Sequence, residues 1–147
     1  MFEQSLTDWQ AHYKRYRRSL GRLMSDHVGS NDFMDDLNHS MQECWHLKDW
    51  IRAGRPKEFR DLVERTVAQH QALSIVADLA NAAKHFILTG KERTGARIIS
   101  QGATVHLGEG RTTTFCTVRL NDGSLVDVNQ LVIEAATAWE SVQKSLA

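Results

Sequence analysis

Most features that announce a function at first reading are missing from this sequence. Cysteine occurs only at Cys44 and Cys116, far apart and in no CxxC pair, which excludes a zinc knuckle and a disulfide framework. Two such thiols are expected to stay reduced, which suits the cytoplasm. Proline occurs once, at Pro56, so no polyproline segment exists. No apolar run approaches the roughly 18 residues of a membrane span, and "MFEQSLTDWQAHYKRYRRSL" lacks the apolar stretch of a secretory signal. A soluble chain with no membrane partner and a cytoplasmic location is expected. Charge of one sign is also lacking: 18 basic residues face 18 acidic ones, so no global field steers the chain to nucleic acid or lipid. Walker loop, GxGxxG, GxSxG and HExxH are absent, which removes the common signatures of nucleotide, acyl-transfer and zinc chemistry. No cofactor is expected.

What is present is ordinary in amount and informative in arrangement. The 147 residues, 41% apolar and 24% charged, fit one globular domain. Up to about residue 90 the pattern is helical. Leu6, Trp9, Tyr13, Tyr16, Leu20 and Leu23 recur at steps of three and four, the stripe of one long helix. After "HVGSND", with Ser30 or Asn31 as the capping candidate, Met34, Leu37, Met41, Cys44, Leu47 and Ile51 repeat it. Gly54 and Pro56 end that helix. A third helix is predicted over 57–88, first amphipathic through Phe59, Leu62, Val63, Val67 and His70, then apolar almost all round in "ALSIVADLANAAKHFIL". A helix of the latter kind is enclosed by its neighbours.

Beyond Gly90 the period changes to two. "ARIIS", "ATVHL", "TTFCTVRL" and "SLVDV" read as strands separated by "QG", "GEGR" and "NDG", with a hairpin at Asp122-Gly123. Gly108-Glu109-Gly110 reads as a hairpin loop. Leu131, Ala135, Ala138 and Val142 return to helical spacing. The predicted fold class is α+β: an N-terminal three-helix bundle (1–90), a small antiparallel β meander (91–128) and a C-terminal helix (129–147), in a single domain.

The apolar helix raises the main question. In "ADLANAAKHF", Asp78, Asn81 and His85 stand at i, i+3 and i+7 and share a face. Buried polar groups need partners, because an unpaired one costs about 1–3 kcal/mol. Two readings stay open: a hydrogen-bond network that fixes helix register, or a catalytic or binding face. The second helix offers a partner stripe in His39, Glu43, His46 and Trp50, with His46 the preferred partner. Glu43-x-x-His46 is half of a di-iron carboxylate spelling, but no second ExxH occurs, so no metal is assigned. The first helix carries Lys14, Arg15, Arg17, Arg18 and Arg22, with no acidic residue from 12 to 22. Helical spacing gathers most of them into a strip, either a solvated face or a track for a phosphate backbone.

The "ANAAKH" segment resembles the active-site helix of the HEPN superfamily, compact helical domains that include many metal-independent ribonucleases of prokaryotic defence and phage systems. Asn81 and His85 match the later part of that signature, and Ala80 stands where the family has arginine. The resemblance covers about residues 30–90. It implies RNA as substrate or ligand, and a possible homodimer. It also implies His85 as general acid/base for attack by a ribose 2′-hydroxyl, Asn81 orienting the phosphate, and Asp78 or His46 positioning His85. Lys84 and Arg93 are the cations left to replace the missing arginine. The competing expectation is a non-enzymatic module that binds another protein or a small ligand, with the same polar residues serving the fold.

Overall fold

The computed structural model describes residues 9–25, 30–53, 57–84, 94–106, 108 and 111–146. Leu6, the helix stop at Gly54 and Pro56, His85 and Arg93 lie outside them. Among the described residues the chain forms five helices and three strands, an α+β arrangement with helix dominant. The helices are α1 (Trp9–Leu23), α2 (Ser30–Arg52), α3 (Lys57–Gln69), α4 (Gln71–Lys84) and α5 (Val128–Leu146). The strands are β1 (Arg97–His106), β2 (Arg111–Arg119) and β3 (Leu125–Asp127).

The stripes read from spacing are the buried faces. Trp9, Tyr16 and Leu23 of α1, and Leu37, Met41, Cys44, Leu47 and Ile51 of α2, all enter the core. So do Leu131, Ala135, Ala138 and Val142 of α5. Helix α2 packs against α1, α3, α4, β1 and β2, and α4 is held between α2, α3 and α5. This explains the all-round apolar sequence of α4: Leu73, Ile75, Val76, Ala77, Leu79 and Ala80 are each buried. An apolar helix surrounded on several sides removes most of its surface from water, at ~25 cal/mol per Å² of apolar area.

Two expectations are corrected. The helix predicted over 57–88 is two helices, broken at His70. The Thr66 carbonyl accepts a hydrogen bond from the His70 ring Nδ1 at 2.9 Å. In a continuous helix that carbonyl would take the His70 amide. The His70 carbonyl then accepts from Leu73 N at 3.0 Å and starts α4. The imidazole thus bonds the carbonyl at the end of α3, and His70 separates the two helices. Likewise "ARIIS" and "ATVHL" are one strand. Gln101 and Gly102 pair with Cys116 and Phe115 inside the ladder, and the irregularity falls at Ile99 as a bulge between Ile98 and Ser100.

The sheet is antiparallel in the order β1-β2-β3. Its second turn is the hairpin expected at Asp122-Gly123. Gly123 has φ +86°, and Ser124 donates through both N and Oγ to Asp122 Oδ1. Asp127 then caps α5, its Oδ2 accepting from Gln130 N at 3.1 Å.

Candidate functional site

Asp78 is almost fully buried, at 2% exposure. Its Oδ2 accepts two hydrogen bonds of 2.6 Å from Thr94, one from the amide and one from the hydroxyl. The Thr94 carbonyl accepts from Asn121 N at 2.9 Å. One threonine therefore ties the middle of α4 to the start of β1 and to the β2–β3 turn. Gly95 follows at φ +66°, and a Cβ there would collide with the Asn121 side chain. The close approach of the two loops needs glycine on both counts. Asn81, one turn further on, is half-buried. Ala80, beside it, is 4% exposed and belongs to the core.

The polar stripe of α2 points elsewhere. His46 is exposed, and its positive form opposes that of His12 on α1. His12 stacks on Trp50 with ring centroids 3.6 Å apart and planes 19° from parallel. His39 Nε2 lies 3.9 Å from Glu43 Oε1. Desolvation and the Arg15 guanidinium lower the His12 pKa, with Glu43 acting in the opposite sense. The stripe thus meets α1, where His12 and Trp50 cover one another. Among the described residues no group of three or more His, Cys, Asp and Glu is placed to hold a metal ion.

Basic residues flank this ring pair. Lys14, Arg15, Arg17, Arg18 and Arg22 are all exposed. Arg15, Arg18 and Arg22, at steps of three and four, run along one flank of α1, and Arg15 is near enough to His12 to act on its charge. Arg17 turns to the other side, 3.9 Å from Glu140 of α5 and 6.0 Å from the Tyr13 ring. The strip read from sequence is therefore divided: three arginines continue toward His12 and Trp50, while Arg17 faces α5.

Beneath α1 lies a polar trio that no spacing rule announces. Tyr16, Cys44 and Trp139 meet from α1, α2 and α5, with the Tyr16 hydroxyl and Cys44 thiol hydrogen-bonded. The Trp139 indole N–H is buried with no well-formed bond of its own and has the Cys44 sulfur as its polar neighbour. Burial pushes Cys44 up to about 12 and Cys116 up to about 11. Both are inert thiols at neutral pH, because the thiolate is the reactive form.

A surface cleft of about 480 Å³ was also not foreseen. Gln69, His70 and Gln71 line one side, and Gln130, Glu134 and Thr137 of α5 the other. It lies where α3 gives way to α4, beside α5. The membrane expectation stands in its narrow form: no helix among the described residues is long and apolar enough to cross a bilayer. Comparison with protein-family models, curated proteins and solved structures found no match.

Proposed function

We propose that this chain is a HEPN-like RNA-binding protein that holds RNA on the α1–α2 face without cleaving it. The observation that carries the reading is the exposed flank of Arg15, Arg18 and Arg22, on a helix with no acidic residue from 12 to 22, leading to His12 stacked on Trp50. Arginines at helical spacing match the phosphates of a flexible strand. The neighbouring ring pair offers an amphipathic surface for a base or ribose.

Binding without cleavage is favoured by α4. A ribonuclease site of the family it resembles needs a cation beside the scissile phosphate, and Ala80 is in the core. Asp78, a candidate to position His85, is engaged with Thr94. His85, Asn81 and His46 remain the residues through which cleavage would act.

The test is fluorescence anisotropy with labelled oligouridine across a salt series. Wild type is expected to bind with a log–log salt slope near −2, at about −0.7 per neutralised phosphate. Replacing Arg15, Arg18 and Arg22 together by alanine is expected to weaken binding roughly tenfold or more and to flatten the slope. Absence of binding by wild type at low salt overturns the proposal. Cleavage of the same RNA in EDTA, lost in His85→Ala, overturns the non-catalytic part.

A further inference from the structure

The cleft between the α3–α4 junction and α5 shares no residue with the α1–α2 face. Its volume of about 480 Å³ falls within the roughly 300–1,000 Å³ of small-ligand sites. The α5 wall includes Gln130, Ile133, Glu134 and Thr137, whose steps of three, one and three make one stripe of the helix. Glu134 is the one carboxylate on the lining, and neither lysine nor arginine lines it. Among the described residues Glu134 has no cationic partner; its Oε1 accepts from Gln130 Nε2 at 3.2 Å. That bond commits a Gln130 donor and leaves the amide oxygen. Thr137 likewise donates through Oγ1 to the Ile133 carbonyl at 2.8 Å and keeps its lone pairs. Acceptors therefore dominate this wall. Ile133, in the same stripe, is a large aliphatic side chain left 49% exposed.

We propose that this cleft binds a small organic cation, a guanidine or primary amine on a short aliphatic stem. Charge decides the class. An anion meets repulsion from Glu134, and a neutral apolar ligand takes water from that carboxylate without replacing its hydrogen bonds, which costs free energy. A guanidinium carries five donors and no acceptor, the converse of the α5 wall. Its planar fork suits a carboxylate, and such charge-assisted bonds are about twice as strong as neutral ones. The stem then covers Ile133, removing apolar surface from water at ~25 cal/mol per Å². The site stands apart from the RNA-binding reading, and failure of either leaves the other untouched.

The experiment is a two-dimensional NMR titration of the full chain with n-butylguanidinium, beside its neutral isostere n-butylurea and the anion valerate. The expected result is saturable amide shifts clustered at Gln71, Gln130 and Glu134, with the urea and valerate giving none. Glu134→Gln keeps the shape, removes the charge, and is expected to weaken binding roughly tenfold or more. Ile133→Ser is expected to weaken it about threefold or more, through lost apolar contact. Asp35→Asn, an exposed carboxylate of α2 away from the cleft, is expected to change nothing. Thermal melts confirm that these surface replacements leave the fold intact. No saturable shift with wild type at tens of millimolar overturns the proposal. So do shifts clustered elsewhere, equal binding by Glu134→Gln, or butylurea that binds as well as the cation.

Discussion

Asp78 is the residue that ties the core helix α4 to the start of the sheet. A carboxylate taken into the core is tolerated when donors replace its water, and here Thr94 supplies two. Asp78→Ala is expected to lower the unfolding free energy by about 3 kcal/mol, since hydrogen bonds to a charged group contribute ~1.5–3 kcal/mol each. Thr94→Val removes the hydroxyl bond and keeps the amide bond, so its cost is smaller. Urea melts of both singles and the double variant check this, and additive losses would refute the clasp. Gly95→Ala is expected to cost more than the ~1–2 kcal/mol of a left-handed residue, because Asn121 must also move. The thiols give a pH test. Cys44 titrates near 9 when unfolded and near 12 when folded. Between those values the unfolded chain binds fewer protons, so stability falls as pH rises. The slope from Cys44 approaches 1.4 kcal/mol per pH unit. Urea midpoints at pH 8, 9 and 10 should fall for wild type and fall less steeply for Cys44→Ala.

At the level of elements, side chains decide where helices start and stop. Asp127 occupies the last strand residue and the cap of α5 at once. Asp127→Ala is expected to cost about 1 kcal/mol, read as a lower thermal midpoint without loss of the sheet. At the α3–α4 break the His70 imidazole is held by the Thr66 carbonyl. A carbonyl only accepts, so the His70 Nδ1 carries the proton in this bond. Spacing alone reads this region as one helix, because Val63, Val67, His70 and Leu73 keep steps of four, three and three across the break. In β1, likewise, Gln101-Gly102 has the composition of a turn and the hydrogen bonding of a strand, since β2 runs alongside it.

For the whole molecule, the α1–α2 face couples pH to stability through His12. Its pKa lies below the ordinary 6.5 in the fold, through desolvation and Arg15. Just below pH 6.5 the unfolded chain therefore binds more protons, and stability rises with pH through that window. His12→Ala should flatten the slope in urea melts between pH 5 and 7. Excess stability at pH 5 in wild type would contradict the assignment.

The apolar rhythm of α1, α2 and α5, the enclosed character of α4 and the Asp122-Gly123 hairpin are local patterns, and the chain carries them in its order of residues. The exposed arginines are legible for the same reason, because helical spacing fixes which residues share a flank. Asp78, Asn81 and His85 share a face by spacing, yet spacing says nothing of what meets that face. Thr94 answers for Asp78 from sixteen residues away, where the chain comes back to α4 just before β1. His46 and His12 are 34 positions apart in sequence, and only the packing of α1 on α2 sets them near one another. Residue order carries the inward faces of the helices, but not the burial of Asp78 or the exposure of Phe115 and Leu125. Buried Ser19 and Thr66 bond to carbonyls one turn back in their own helices. Only the tertiary structure set Thr94 against Asp78, because a hydrogen bond needs two groups within about 3 Å and chain order does not specify distance across a core.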